Sequence, residues 1–394
     1  MKNYTIILLL LSFFFQVKAQ NLQGKVVDES SGAGIPFVSV GIVGTNVATV
    51  TNESGDFVFR APTYPTKLRF SHVSYLNADT TLTEQSPTLT IKLKPASFTL
   101  NTVTIDAFKG QNIVKAALEK ASANAYLNFY ANAFYRQLTT QNGKPSQIYE
   151  LFYDVKWNTK RVQGWSAKQS RFAELHDQLA FSLNNQSFLT FSFSGYLMPE
   201  KGGKFVNLAS LKDFNITVEK YIEQSTQRIA VVSCKYKNAK RNTYYVNSTY
   251  YIGVDDSKIY RLENNVYNLP IRLTDATSKY PAAISTVATF NGNNHPIPVL
   301  ESIATKFFMT VVAGRQEISS NISSLLTVYK TDESLKNQSF ESLDWKIKDK
   351  KVIESIAYDA SFWNNNPIVK QTALEDSFIK MMESKAAFGT MINE

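Results

Sequence analysis

The stretch "TNESGDF", residues 51–57, lies between two runs of alternating apolar residues, "IPFVSVGIVGTNVATV" (35–50) and "FVFRAP" (57–62). Its Asn, Glu, Ser, Gly and Asp fit either an acidic loop around a metal ion or the turn of a hairpin. A calcium loop of the helix–loop–helix kind needs oxygen ligands at alternating positions, a closing Glu in twelfth place and helical flanks. Counted from Asn52, the twelfth residue is Thr63, and both flanks alternate like strands. Gly55 suits a backbone position with positive φ, Asn52 suits turn entry, and Phe57 returns the chain to an apolar face. The stretch reads as a hairpin turn, and the chain around it as antiparallel β.

The same alternation extends outward. Val38, Val40 and Ile42 share one face in "FVSVGIV"; Leu89, Ile91 and Leu93 do so in "TLTIKL". Leu68 with Phe70, and Phe57 with Phe59, repeat the pattern, which is that of half-buried antiparallel strands. Turn residues separate these runs at Gly32 to Gly34, Gly44 to Asn46, Asn52 to Asp56 and Pro62 to Pro65. About seven short strands within residues 21–95 predict a small β-sandwich.

These residues carry a resemblance. "LQGKVVDESSGAGIPFVSVGIVGTNVATVTNESGDFVF…LRFSHVSYLN" is similar to the carboxypeptidase-regulatory-like, or transthyretin-like, β-sandwich. The family's G-x-V-x-D start falls on Gly24, Val26 and Asp28, and its G-x-P-x-x-x-V centre on Gly34, Pro36 and Val40. Its T-[DN]-x-x-G-x-F turn falls on Thr51, Asn52, Gly55 and Phe57; its usual "VGY" is "VSY" here, Val73 to Tyr75. In metallocarboxypeptidases this sandwich accompanies a separate zinc domain with an H-x-x-E pair, a distant His and a Glu as general base. The three histidines are followed by "VSY" (His72), "DQL" (His176) and "PIP" (His295), so zinc carboxypeptidase activity is excluded. Each histidine reads as a loop or strand residue.

The totals set the frame. The chain has 394 residues, room for two or three domains at roughly 100–200 residues each. Aromatics reach 13%, with 20 Tyr and 26 Phe, an enrichment that favours strands. Residues 1–19 combine Lys2, the apolar run "YTIILLLLSFFF" and the small residues Val17 and Ala19, the pattern of a cleaved secretory signal peptide. The apolar run is short for a membrane span of ~20 residues; an uncleaved anchor is the alternative. Without the leader's two lysines, the formal charge falls from +9 to +7. The basic residues are scattered, without the stripe or motif that nucleic-acid binding requires. Cys234, the only cysteine, rules out an intramolecular disulfide and reads as a buried small hydrophobe in "RIAVVSCKYK". A leader without disulfides points to a bacterial envelope: periplasm or outer-membrane associated, with peripheral membrane association.

Residues 96–109 read as a linker. Within it "LNTVTI" (100–105) resembles the segment that follows this sandwich in many outer-membrane proteins, although Thr102 replaces the acidic residue. Too few residues remain for a transporter plug and a 22-strand barrel. "GQNIVKAALEKASANAYLN" predicts a helix with an apolar stripe of Val114, Leu118, Ala121 and Ala125. The remainder, within a second domain of residues 110–394, reads as antiparallel β with a C-terminal helix striped by Val369, Ala373, Phe378 and Met381 or Met382. Strands are expected at "FYANAFYRQLTT", "QIYELFYDVKW", "SFLTFSFSGY", "FNITVEKYIE", "RIAVVSCKY", "TYYVNSTYYIGVD", "KIYRLENNVY", "ISTVATFN", "LESIATKFFMTVV" and "SSLLTVYK". Repeated hairpins such as "YYIGVDDSKIYRLE" resemble the open half-barrel of lipoprotein-carrier-like periplasmic domains. The "YDASFW-N…P" ending resembles a group of Gram-negative envelope proteins, without an assigned activity, in which the same sandwich precedes this second domain.

The chain has no G-x-S-x-G elbow, phosphate loop or dinucleotide fingerprint. "GYLMPEKGGK" (195–204) reads as a loop, and the acidic pairs Asp255-Asp256 and Glu375-Asp376 as solvated turn or helix-start residues. No catalytic, cofactor-binding or metal residue is singled out. Aromatic strings in "YLNFYANAFYR", "ELFYDVKW" and "TYYVNSTYY" fit core packing; a hydrophobic cavity for glycans or lipid chains is the binding alternative. The expected function is a non-catalytic exported envelope protein, a binding or docking component whose partner is an outer-membrane protein, glycan or lipid. The alternatives are a polymer-directed hydrolase with an unrecognised carboxylate site and a small outer-membrane β-barrel component.

Overall fold

The computed structural model describes residues 21–60, 62–84, 88–100, 108–176, 204–271, 277–291, 295–342, 349–388 and 391–393. The leader, residues 101–107, the whole of the expected "SFLTFSFSGY" strand and all of "GYLMPEKGGK" but Lys204 lie outside them. The chain is mainly β: a small two-sheet sandwich, then a large antiparallel sheet with helices.

In the sandwich, β1 (Leu22–Asp28), β4 (Asp56–Phe59) and β7 (Leu89–Leu93) form one sheet, in the order β4-β1-β7. The facing sheet is β3 (Ala48–Val50), β2 (Ser39–Ile42), β5 (Thr66–Ser71) and β6 (Ala78–Leu82), in that order. Leu22, Val26, Val38, Val40, Phe57, Leu68, Phe70 and Leu93 meet between the sheets without exposure. Lys67 and Arg69 alternate outward from Leu68 and Phe70 and pair with Asp79 across β6. Two family positions also explain each other: Asp28 caps the turn at Ser30 and Ser31 and accepts the Tyr75 hydroxyl at 3.0 Å.

The "TNESGDF" stretch is a turn, but not that of a single-sheet hairpin. β3 and β4 belong to opposite sheets, so residues 51–55 carry the chain across the sandwich. Asn52 Oδ1 accepts the N–H groups of Ser54 and Asp56 at 2.9 and 3.0 Å, and the Asn52 N–H donates to Asp56 O at 2.8 Å. Gly55 has φ +82°, and a Cβ there would lie 2.5 Å from the Val26 carbonyl oxygen. Alternation tells which side chains face a core. A return within one sheet and a crossing to the other both put Phe57 inside.

The large sheet begins within the expected linker, where β8 (Ser97–Leu100) pairs with residues 220–223 as the sheet's outermost strand. After the Lys109–Ala123 helix come β9 (Phe129–Gln141), β10 (Lys144–Trp157), β11 (Val162–His176), β12 (Phe214–Glu223) and β13 (Arg228–Tyr236). Then follow β14 (Tyr245–Gly253), β15 (Ile259–Leu269), β16 (Thr277–Asn291), β17 (Val299–Ala313) and β18 (Gln316–Thr331). Short strands β19 (Glu341–Ser342) and β20 (Met391–Asn393) flank β11. The order is β19-β11-β10-β9-β18-β17-β16-β15-β14-β13-β12-β8, so late strand β18 sits beside early strand β9. The helix packs Val114, Ala117, Leu118 and Ala121 against one face, the inner one; Ala125 lies beyond its end. β11 is absent from the expected strands, and the Ala373–Ser384 helix buries Phe378, Ile379 and Met382, with Ala373 exposed.

Candidate functional site: a polar seam between sandwich and sheet

Arg261 and Lys306 are out of phase with inward-facing Leu262 and Phe307, so they emerge on the sheet's outer face, where the sandwich docks. Lys306 pairs with Glu53 of the inter-sheet turn at 3.0 Å. Ser39 Oγ donates to Glu301 Oε1 at 3.0 Å, and Gln224 Nε2 donates to the Val73 carbonyl at 2.9 Å. Val47 bridges to Lys330, so the β3 edge reaches the end of β18.

His72 stands at this seam. Its Nδ1 accepts the Ser74 N–H at 3.2 Å, and its Nε2 faces Arg261 Nη1 at 3.2 Å. Desolvation, then the charge of Arg261, push the imidazole down to about 3, so it stays neutral near pH 7. Desolvation also pushes the Glu301 carboxyl up to about 7, against the opposing bonds from Ser39 and Asn291. Between these groups lies a cleft of about 290 Å³, lined by Arg69, Ser71 and His72 from the sandwich and Gln227, Thr289 and Asn291 from the sheet. The two nearby guanidiniums are paired, Arg69 with Asp79 and Arg261 with Glu263 at 2.7 Å. The cleft therefore offers mainly neutral donors and acceptors.

Beside the seam a second polar assembly lies on the outer face. Glu150 on β10 sits in register between Arg136 on β9 and Arg171 on β11. Arg136 Nε lies 2.6 Å from Glu150 Oε1, and Arg171 Nε pairs with the other oxygen. Burial opposes ionisation of Glu150, but the two guanidiniums outweigh it and hold the carboxyl below its ordinary range. Glu375 and Glu383 of the Ala373–Ser384 helix approach Arg136 and Arg171 at 3.5 and 3.4 Å. Arg171 also lies over the Trp363 ring, 4.6 Å from its centroid. The C-terminal helices are thereby clamped to the sheet. Sequence reasoning missed this group, although Arg136 and Glu150 are each a lone charge inside an apolar run, "FYRQL" and "YELFY"; Arg171, in "SRFAE", carries no such signal.

The inner face carries a polar row. Ser248, Asn264, Thr286, Thr305, Ser324 and Gln137 are successive register partners across β14, β15, β16, β17, β18 and β9, and all are buried. Ser248 Oγ donates to Asn264 Oδ1 at 2.7 Å, whereas Asn264 Nδ2 and Thr286 Oγ1 have no hydrogen-bond partner.

The other residues singled out in the sequence have structural places. Asp256 accepts the Lys258 N–H and the Tyr260 hydroxyl within the β14–β15 turn. Glu375 completes a capping box with Thr372, and Asp376 pairs with Lys380. Cys234 is fully buried and its thiol is pushed up by desolvation. His295 packs edge-on against Phe129, 5.2 Å between centroids, and His176 ends β11. Phe129, Tyr135, Tyr153, Trp157 and Tyr250 from the aromatic strings are core residues. Among the described residues no group of His, Cys, Asp and Glu is arranged to hold a metal, and no helix is long and apolar enough to cross a membrane.

Comparison with known proteins decides the first unit. Residues 22–105 match the CarboxypepD_reg-like domain. The match takes in Gly24, Asp28, Gly34, Asn52 and Gly55, whose turns and close approaches shape the sandwich. No curated protein matches the chain. Among solved structures, a DUF1329 family protein from Desulfovibrio piger is 11% identical with a TM-score of 0.24, covering 58% of this chain and 95% of its own. A putative outer membrane lipoprotein-sorting protein domain from Vibrio parahaemolyticus is 10% identical, TM-score 0.25, covering 58% and 97%. The Pseudomonas aeruginosa MucA/MucB complex gives 10%, a TM-score of 0.21, and coverage of 56% and 94%.

Proposed function

We propose that this chain is a non-catalytic exported envelope protein that binds a neutral saccharide at the seam between its CarboxypepD_reg-like sandwich and its large sheet. The observation that carries the reading is the 290 Å³ cleft, whose lining comes from both units. Ser71, Thr289, Asn291 and Gln227 supply hydroxyl and amide groups suited to sugar hydroxyls, and the neighbouring cations are already paired. An acyl chain would strand these polar groups at a cost of about 1–3 kcal/mol each. That chemistry selects the glycan among the partner classes expected from the sequence.

The test is retention of leader-free protein on purified envelope polysaccharides, with Asn291→Leu and Thr289→Val as controls. Retention that both substitutions weaken supports the reading; wild-type protein that passes every polysaccharide unretained sinks it. Cell fractionation checks the location, and recovery in the cytoplasm would remove that part.

A second reading rests on Glu301, a carboxyl near neutral pKa in a cleft, the property of a general acid in polymer hydrolysis. Turnover of a retained polysaccharide that vanishes in Glu301→Gln would move the chain to the hydrolases.

A further inference from the structure

Segment 366–372, which bends at Val369 between the Ala360–Asn365 and Ala373–Ser384 helices, is held the way a receptor holds a peptide. Four consecutive backbone carbonyls accept hydrogen bonds from side chains of other elements. Thr49 Oγ1 donates to Ile368 O, and Arg136 Nη2 donates to Val369 O at 3.2 Å. Asn52 Nδ2 donates to Lys370 O at 3.1 Å and Gln371 O at 3.3 Å. Thr49 and Asn52 belong to the sandwich and Arg136 to the sheet, so the segment lies in a channel with one wall from each unit.

The side chains are read as well. Val369 is 4% exposed and fills a pocket of Val50, Phe134, Phe152 and Trp363. Lys370 Nζ donates to Gln23 Oε1 at 2.7 Å. Main-chain hydrogen bonds for affinity, with pockets for particular side chains for specificity, are how extended peptides are recognised.

Two clefts flank the segment. A cleft of about 230 Å³ opens beside Thr372 and Glu375, and another of about 190 Å³ beside residues 366–371. Arg136 lines both. Both clefts open to the surface, so the segment is reached from solvent on two sides.

We propose that this channel is a binding site for a peptide segment of a partner protein, one presenting a β-branched residue followed by a basic one, and that residues 366–372 close it in cis. The site is separate from the saccharide cleft and stands or falls independently of it. Its occupant chemistry is that of the resident segment: a Val-sized side chain for the apolar pocket, and a cation within reach of Gln23.

The test uses full-length protein and a fluorescein-labelled peptide of residues 362–374. Val369→Asp weakens the resident segment, and Lys370→Glu does so at a half-exposed position should Val369→Asp fail to fold; circular dichroism melts report folding. The peptide is expected to bind the folded variant saturably, at least tenfold more tightly than wild type. Adding Asn52→Ala should weaken that binding about three- to tenfold, the worth of one or two hydrogen bonds. A folded variant that binds no peptide overturns the proposal. So does a wild-type dimer in light scattering that Val369→Asp converts to monomer, since the occupant would then be a second copy.

Discussion

Two groups of buried polar side chains cross the large sheet, one on each face, and they differ in how completely they are paired. On the outer face, Glu150 uses both carboxylate oxygens on Arg136 and Arg171, and Glu375 and Glu383 meet the remaining positive charge. On the inner face, the row from Ser248 to Gln137 runs between two apolar clusters, with Asn264 Nδ2 and Thr286 Oγ1 unpartnered. The first group ties the C-terminal helices to the sheet; the second interrupts the core. A paired buried charge is dangerous to remove, whereas an orphaned hydroxyl is a cost already carried by the fold.

The largest effect is therefore expected at Glu150. Glu150→Leu leaves two buried guanidiniums without their shared partner and should lower unfolding stability by about 3–5 kcal/mol in denaturant titration. A loss below about 1 kcal/mol would show that Glu375 and Glu383 satisfy the arginines alone.

Glu301, at the seam, is intermediate. It binds its proton more tightly folded, at about 7, than unfolded, at about 4.5, so stability is full below pH 4.5 and falls as pH rises towards 7. The contribution is roughly 3 kcal/mol at most. Glu301→Gln, compared with wild type from pH 4 to pH 8, should abolish that part of the pH dependence. Parallel curves would mean that the seam does not desolvate this carboxyl.

The smallest effect has the opposite sign. Thr286→Val should raise stability by about 1 kcal/mol, because it removes a buried hydroxyl that pairs with nothing. A loss of stability would reveal a partner for the hydroxyl. His72, finally, should show no titration of its ring signals between pH 5 and 8 by NMR, since its proton affinity lies near 3.

The two units differed in legibility for physical reasons. The sandwich packs side chains inward and exposes their neighbours, so β5 reads as Leu68 and Phe70 between Lys67 and Arg69, and period-2 alternation survives. β11 is covered on both sides over residues 170–174, where Ser170, Arg171, Phe172, Ala173 and Glu174 are all buried. Alternation disappears there, and "QSRFAE" looks like surface. The seam was hidden for another reason. Ser39, His72, Arg261 and Glu301 are unremarkable in their own strands and turns, and acquire meaning only when β2 and β17, 262 residues apart at Ser39 and Glu301, are brought together.

The turn "TNESGDF" joins both lessons. Its Gly55 and Asn52 announced a turn, but Asn52 also donates to the C-terminal segment and Glu53 pairs with Lys306 of the sheet, contacts that no local pattern encodes.

The central claim, that ligand is bound at the seam, is tested most directly by amide hydrogen exchange with and without a retained oligosaccharide. Slowed exchange at residues 71–73 of the sandwich together with 289–291 of the sheet is the predicted result. Slowing confined to the Lys109–Ala123 helix and the inner face of β14–β18 would contradict it and place the ligand inside the sheet.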